Sequence, residues 1–250
     1  MTVSAWQLDG NQATLRQDNI AGVIRLDRPS DGVHDVKISN QVTTDLNPLC
    51  VRLPGSATIG DNVSDSYVRC NDLVVQYDES TNRPFHVQIY WRALPTDEQT
   101  GLMGGVELMT SVNTSGLDIE SSWSLHTDLP SGELLRLKGD EQHPRFETVD
   151  GETAAFNAAD GPGLFLLRPV DADWSYAEMV HPIDFQAAKL ESGEEATARR
   201  LVHSLFHREM EKGVIVRNRV QAVFLRRDQD ETAAVGCFEA FRHAKLPLTA

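Results

Sequence analysis

The sequence predicts an all-β protein: one large antiparallel sandwich, followed by a short C-terminal helix. Three observations carry this. Apolar and polar residues alternate with period two from near the start to about residue 227. Clusters of turn-forming residues separate these runs at a spacing of roughly 8–12 residues. Helical spacing is scarce and is clear in one C-terminal segment only. The 250 residues are enough to bury a substantial core, and we read them as one β domain spanning 1–250.

Taken in order, residues 21–26 (AGVIRL) form a short strand ended by Asp27-Arg28-Pro29, and residues 32–38 (GVHDVKI) alternate after a Ser-Asp-Gly turn. Residues 66–77 give two short runs broken at Asn71-Asp72. The clearest strand is 84–94, PFHVQIYWRAL. Phe85, Val87, Ile89, Trp91 and Ala93 share one face, and His86, Gln88, Tyr90 and Arg92 share the other. Weaker alternation marks 105–112, 117–126, 163–168, 176–181 and 198–206. A second clear strand is 214–227. Val214, Val216, Val220, Ala222 and Phe224 share one face with a single polar exception, Asn218, while Ile215, Arg217, Arg219, Gln221 and Val223 share the other. The helix is expected over about 231–244, with Asp230 as N-cap, a stripe of Ala234, Cys237, Phe238, Phe241 and Lys245, and Pro247 as a stop. Residues 191–210 fit a helix or a strand about equally well.

Composition excludes several classes. A net charge of −14 disfavours nucleic acid as a partner, because phosphate neutralisation needs a positive surface. No apolar run reaches the length of a membrane span. The start, MTVSAWQLDG, lacks the basic and apolar regions of a secretion signal, so a cytoplasmic location is expected. The three cysteines, Cys50, Cys70 and Cys237, form neither a disulfide framework nor a CxxC zinc motif, and read as buried reduced thiols. No GxSxG, GxxxxGK[ST] or GxGxxG is present, so serine-hydrolase, P-loop and Rossmann readings lose support.

Three stretches, GVIRLDRPSDGVHDVKI, GVELMTSVNTSGLDIESSWSL, and DWSYAEMVHPIDF followed by MEKGVIVRNRVQAVFLRR, resemble the strands of galactose mutarotase-like β-supersandwich domains. These make up the aldose-1-epimerase family and accessory domains of glycoside hydrolases. The resemblance implies a supersandwich fold, a carbohydrate ligand and no cofactor. The paired catalytic histidines and glutamate of the epimerases have no counterpart by motif.

Candidate site residues follow from the strand faces. His86, Gln88, Tyr90 and Arg92 project together, and Arg217, Arg219 and Gln221 form a similar row. If their strands share a concave sheet, they line a polar cleft able to grip hydroxyl groups, with a tyrosine ring for a sugar's C–H face. For an epimerase, Glu178 is the candidate base and His181 or His86 the candidate acid. Glu178 and His181 lie three residues apart, on opposite faces of a regular strand, and converge only across a bulge. Trp174 and Trp6, in polar contexts, are candidates for sugar stacking, whereas Trp91 and Trp123 read as core. No metal site is expected. His203 and His207 lie roughly 13 Å apart on a strand, and Asp171-Ala172-Asp173 lacks the rest of a calcium loop. Non-catalytic sugar binding is thus the leading expectation, with aldose 1-epimerisation second. A structural or assembly protein without a small-molecule site, its faces buried in a homo-oligomer, is the rival from another class.

Overall fold

A computed structural model describes residues 4–43, 45–54, 61–81, 83–139, 143–192 and 199–245. Strands β1 (Trp6–Asp9), β2 (Gln12–Arg16), β3 (Ile20–Arg25), β4 (Val33–Ile38) and β5 (Gln41–Val42) form a five-stranded meander. Then come β6 (Asn47–Arg52), β7 (Asp65–Arg69), β8 (Asp72–Tyr77), β9 (His86–Leu94), β10 (Leu102–Asn113), β11 (Ile119–Leu129), β12 (Gly132–Lys138) and β13 (Arg145–Thr148). They are followed by β14 (Ala154–Asn157), β15 (Leu164–Pro169), β16 (Trp174–Val180), β17 (Ala187–Ser192), β18 (Arg199–Met210), β19 (Val216–Arg226) and the helix α1 (Asp230–His243). A nine-stranded sheet has the order β13-β12-β15-β16-β19-β10-β9-β8-β7, and a second five-stranded sheet has the order β14-β17-β18-β11-β6. Every pairing between these strands is antiparallel.

Alternation decides which face is buried. The inward residues of β8, β9, β10 and β19, among them Leu73, Ile89, Trp91, Leu108, Val220 and Phe224, join one apolar cluster with residues of both five-stranded sheets. Trp123 belongs to it and stacks on Phe206, with ring centroids 6.4 Å apart. Trp6 is buried too, its indole N–H donating to the Asn71 carbonyl at 3.0 Å, which removes it as a sugar-stacking candidate. A second cluster lies on the outer face of the nine-stranded sheet. There α1 lays Ala233, Ala234, Phe238 and Phe241 over Leu135, Leu164, Leu166, Ala177, Met179, Val223 and Leu225.

The expected helix exists but starts differently. Gln229 precedes it without a side-chain cap, and Asp230 is its first residue. The Asp230 carboxylate instead accepts from both Arg168 Nε and Nη2, at 2.8 and 2.7 Å, and from the Ser175 hydroxyl. Its charge ties the helix to the sheet rather than capping a turn. The ambiguous stretch 191–210 resolves in part: 199–210 is strand β18, its register set by β11 and β17, while the helix-prone 193–198 lies outside the described residues. The cysteines are all free, but only Cys50 is buried, with Cys237 half-buried and Cys70 exposed.

Candidate functional site: the outer face of the nine-stranded sheet

The two polar rows of the sequence stand on one face, with only β10 between them. Register places Gln88 opposite Ser111 and Ser111 opposite Arg217. The next row is Tyr90, Met109, Arg219, and the next Arg92, Glu107, Gln221. Strand β8 extends these rows with Gln76, Val74 and Asp72. Successive rows are about 7 Å apart and neighbouring strands about 5 Å apart. The result is a grid of polar groups around a small apolar centre of Val74, Tyr90 and Met109.

Hydrogen bonds fix much of the grid. Arg92 holds Asp72 with two parallel bonds, Nε to Oδ1 at 2.7 Å and Nη2 to Oδ2 at 3.0 Å. Tyr90 donates its hydroxyl to Gln88 Oε1 at 2.7 Å. Burial raises the Tyr90 hydroxyl above its ordinary value, so at neutral pH it remains a donor, while its ring is buried against Val74 and Met109. Gln88, Arg92 and Arg217 are half-buried. His86 stands at the end of the same face, its Nδ1 3.1 Å from Asp78 Oδ1.

Arg219 and Gln221 share the face but are buried. Arg219 bonds Glu107 through Nε, donates through Nη1 to the Ala244 carbonyl at 3.2 Å, and lies 4.7 Å over the Phe241 ring. It anchors the end of α1 to the sheet and has little left for a ligand. Sequence reasoning did not single out Glu107, Ser111 or Asp72, although Glu107, Met109 and Ser111 alternate along GVELMTSVN. The apolar residues around them masked the polar stripe.

The proposed acid and base do not converge. Glu178 points into the core and is fully buried. It accepts from the Tyr176 hydroxyl, from Thr127 Oγ1 at 2.5 Å and from His203 Nε2 at 2.8 Å. His181, one residue beyond β16, points the other way, with its ring edge-on to Phe241 at 5.4 Å. No bulge intervenes in β16, so the odd separation leaves the two on opposite sides of the sheet. Glu178 as a base with His181 as its acid is therefore corrected: a carboxylate sealed in the core cannot reach a sugar hydroxyl. Burial, then the Arg219 guanidinium, hold His181 below its ordinary value. It lines a cavity of about 640 Å³ with Phe238, Arg242 and His243. Nor does Trp174 join the grid. It packs on the inner face against Phe224, centroids 5.9 Å apart, and sits opposite Arg226, about 30 Å along β19 from Arg217. It borders a separate cavity of about 530 Å³ with Asp171 and Asp173.

The described residues bring together one set of mixed metal-binding side chains that sequence reasoning did not foresee. Cys50, His126 and Asp128 place one ligand atom each within 4.8 Å of one another. They line a cavity of about 460 Å³ on the outside of the second five-stranded sheet. Burial, then the Asp128 and Glu178 carboxylates, raise the Cys50 thiol, whereas burial and Arg200 lower His126.

With this geometry in view, known proteins give a consistent picture of the fold. No protein-family model matches the sequence, and no curated protein matches it. Solved structures do match. A galactose mutarotase-like protein from Lactobacillus casei ATCC 334 superposes with a TM-score of 0.53 at 10% identity, over 85% of this chain and 99% of that one. A candidate aldose 1-epimerase from Escherichia coli K12 gives 0.56 at 9% identity, over 85% and 98%. A TPR-domain containing protein from Parabacteroides distasonis ATCC 8503 gives 0.60 at 10% identity, over 86% of this chain and 47% of that one. The chain has the mutarotase-like fold. At such identities the likeness is one of architecture alone.

Proposed function

We propose that this protein is a carbohydrate-recognising domain that binds a sugar on the open part of the outer face of its nine-stranded sheet. One observation carries the reading. Residues far apart in sequence, Gln88, Tyr90 and Arg92 on one strand and Arg217 on another, stand in register on one face beside Ser111 and Asp72. The partly exposed Gln88, Arg92 and Arg217 offer donors and acceptors suited to a ligand rich in hydroxyls, over a floor closed by the buried Tyr90. One structural neighbour is described as galactose mutarotase-like and another as a candidate aldose 1-epimerase, which supports a sugar as the ligand class. Binding is favoured over aldose 1-epimerisation because the best carboxylate candidate, Glu178, is sealed in the core.

A thermal-shift screen against mono- and oligosaccharides tests this. A sugar at 100 times its dissociation constant stabilises by about 2.7 kcal/mol, a melting shift of about 5–10 °C for a chain of this size. Gln88→Ala and Arg217→Ala are each expected to weaken binding about tenfold, the loss of one good hydrogen bond. If no sugar shifts the melt at tens of millimolar, the reading fails. Self-association in gel filtration would then favour an assembly role.

A further inference from the structure

We propose that Cys50, His126 and Asp128, completed by His34, form a binding site for a zinc-class divalent cation that staples the N-terminal sheet to the second five-stranded sheet. Strand geometry builds the set. His126 and Asp128 are two residues apart on β11 and so share a face, and Cys50 stands directly opposite His126 on the neighbouring β6. Their ligand atoms lie within 4.8 Å of one another, where a tetrahedral zinc ion with nitrogen, oxygen and sulfur ligands needs separations of about 3.3–3.8 Å. A contraction of about 1 Å, within the reach of side-chain rotation, closes these three, and His34, which lies outside the 4.8 Å group on the wall of the same cavity, has to swing in as the fourth. A thiolate, an imidazole and a carboxylate select a borderline-soft cation over calcium or magnesium, which prefer oxygen alone.

His34 is the independent observation. It comes from β4 of the N-terminal sheet and lines the same cavity. Its Nδ1 is 3.0 Å from Asp35 Oδ2, while its Nε2 is shielded from solvent with no hydrogen-bond partner among the described residues. A carboxylate on one ring nitrogen, leaving the other nitrogen's lone pair free, is the usual arrangement of a metal-binding imidazole. An unpaired buried nitrogen is costly unless something binds it. Arg200 bonds Asp128 Oδ1 through Nε at 2.7 Å, which orients the carboxylate and leaves Oδ2 for the ion. The empty site holds Cys50 as a thiol that donates to the Asn47 carbonyl, and on binding it releases this proton to solvent; thiolate, carboxylate, Arg200 and a divalent cation then sum to one positive charge.

The test uses the full chain without a histidine tag, stripped with EDTA and titrated with Co²⁺. The expected result is one equivalent bound, with a thiolate-to-cobalt charge-transfer band and the intense visible bands of four-coordination, both reversed by Zn²⁺. Cys50→Ser and His126→Gln are each expected to remove the band and weaken binding at least about 100-fold, the upper end of what loss of an outer-shell partner alone costs. Far-ultraviolet circular dichroism of each variant confirms that it is folded. His34→Gln is expected to weaken binding at least about tenfold and shift the visible bands away from four-coordination. No binding to the folded wild-type chain, or binding without the thiolate band, overturns the proposal. So does binding that survives either Cys50→Ser or His126→Gln. Unchanged bands in His34→Gln overturn the assignment of the fourth ligand.

Discussion

At the scale of single residues, the buried Glu178 is the feature most open to misreading. In SYAEMVHPIDF it stands near a histidine and reads as chemistry. Its partners, Tyr176, Thr127 and His203, come from two other strands and from two residues back along its own. Sequence spacing shows only the last of these. The carboxylate is a structural hub, and Glu178→Ala would take a bond from three buried polar partners, of which Thr127 keeps the one it accepts from the Leu49 N–H. We expect a loss of about 3–5 kcal/mol in urea unfolding, with Glu178→Gln milder. Gly32 is a second such residue. At φ 66° a Cβ would stand 2.5 Å from the Pro48 carbonyl oxygen and 2.7 Å from Cys50 Sγ. Gly32→Ala is expected to cost about 1–3 kcal/mol in the same assay and to disturb Cys50. Asp184 gives a pH signature. Burial raises it to about 6, against hydrogen bonds from the Arg219 backbone N–H and the Asn218 side chain that pull the other way. Its folded value lies above the unfolded one, so the folded state holds its proton more tightly. The stability this contributes is full below about pH 4 and is lost as pH rises through about 6. Asp184→Asn should flatten the stability profile in that window, whereas an unchanged slope would contradict the assignment.

At the scale of elements, regular alternation was legible and irregular partnership was not. Strands β9 and β19 could be read with their inward faces because every second residue is apolar, Asn218 excepted, and turns bound them. Strands β12, β13, β14 and β17 escaped because they are short or unevenly patterned, and β14 finds its partner β17 only about thirty residues on. Helix α1 was legible from its apolar stripe, but its anchor was not, because Arg168 is 62 residues from Asp230. Burial pushes the Asp230 carboxyl up, but its bonds to Arg168 and Ser175 outweigh this and hold it below its ordinary value. Phe238→Ala, which empties the centre of the helix contact, is expected to cost about 3–5 kcal/mol. Hydrogen exchange of α1 should accelerate in that variant well before the sheets are affected. The Cys50, His126 and Asp128 set was invisible for the same reason as Arg168: two of its members share a strand, but the third arrives only through the β6–β11 pairing.

At the scale of the whole molecule, the nine-stranded sheet divides its outer face between two duties. One half is covered by α1 and is apolar. The other half, over β8, β9, β10 and the start of β19, carries the polar grid, with Gln76, Gln88, Arg92 and Arg217 partly exposed. Two strands more than a hundred residues apart in sequence show matching polar rows because they flank the same central strand. That juxtaposition follows from topology, so the sequence could name the rows but not bring them together. The most direct test of sugar recognition on this face is amide chemical-shift mapping with the saccharide that raises the melting temperature most. The expected result is a cluster of shifts at Gln88, Tyr90, Arg92, Ser111 and Arg217. Shifts centred on Asp171, Asp173 and Trp174, or none at saturating sugar, would contradict it.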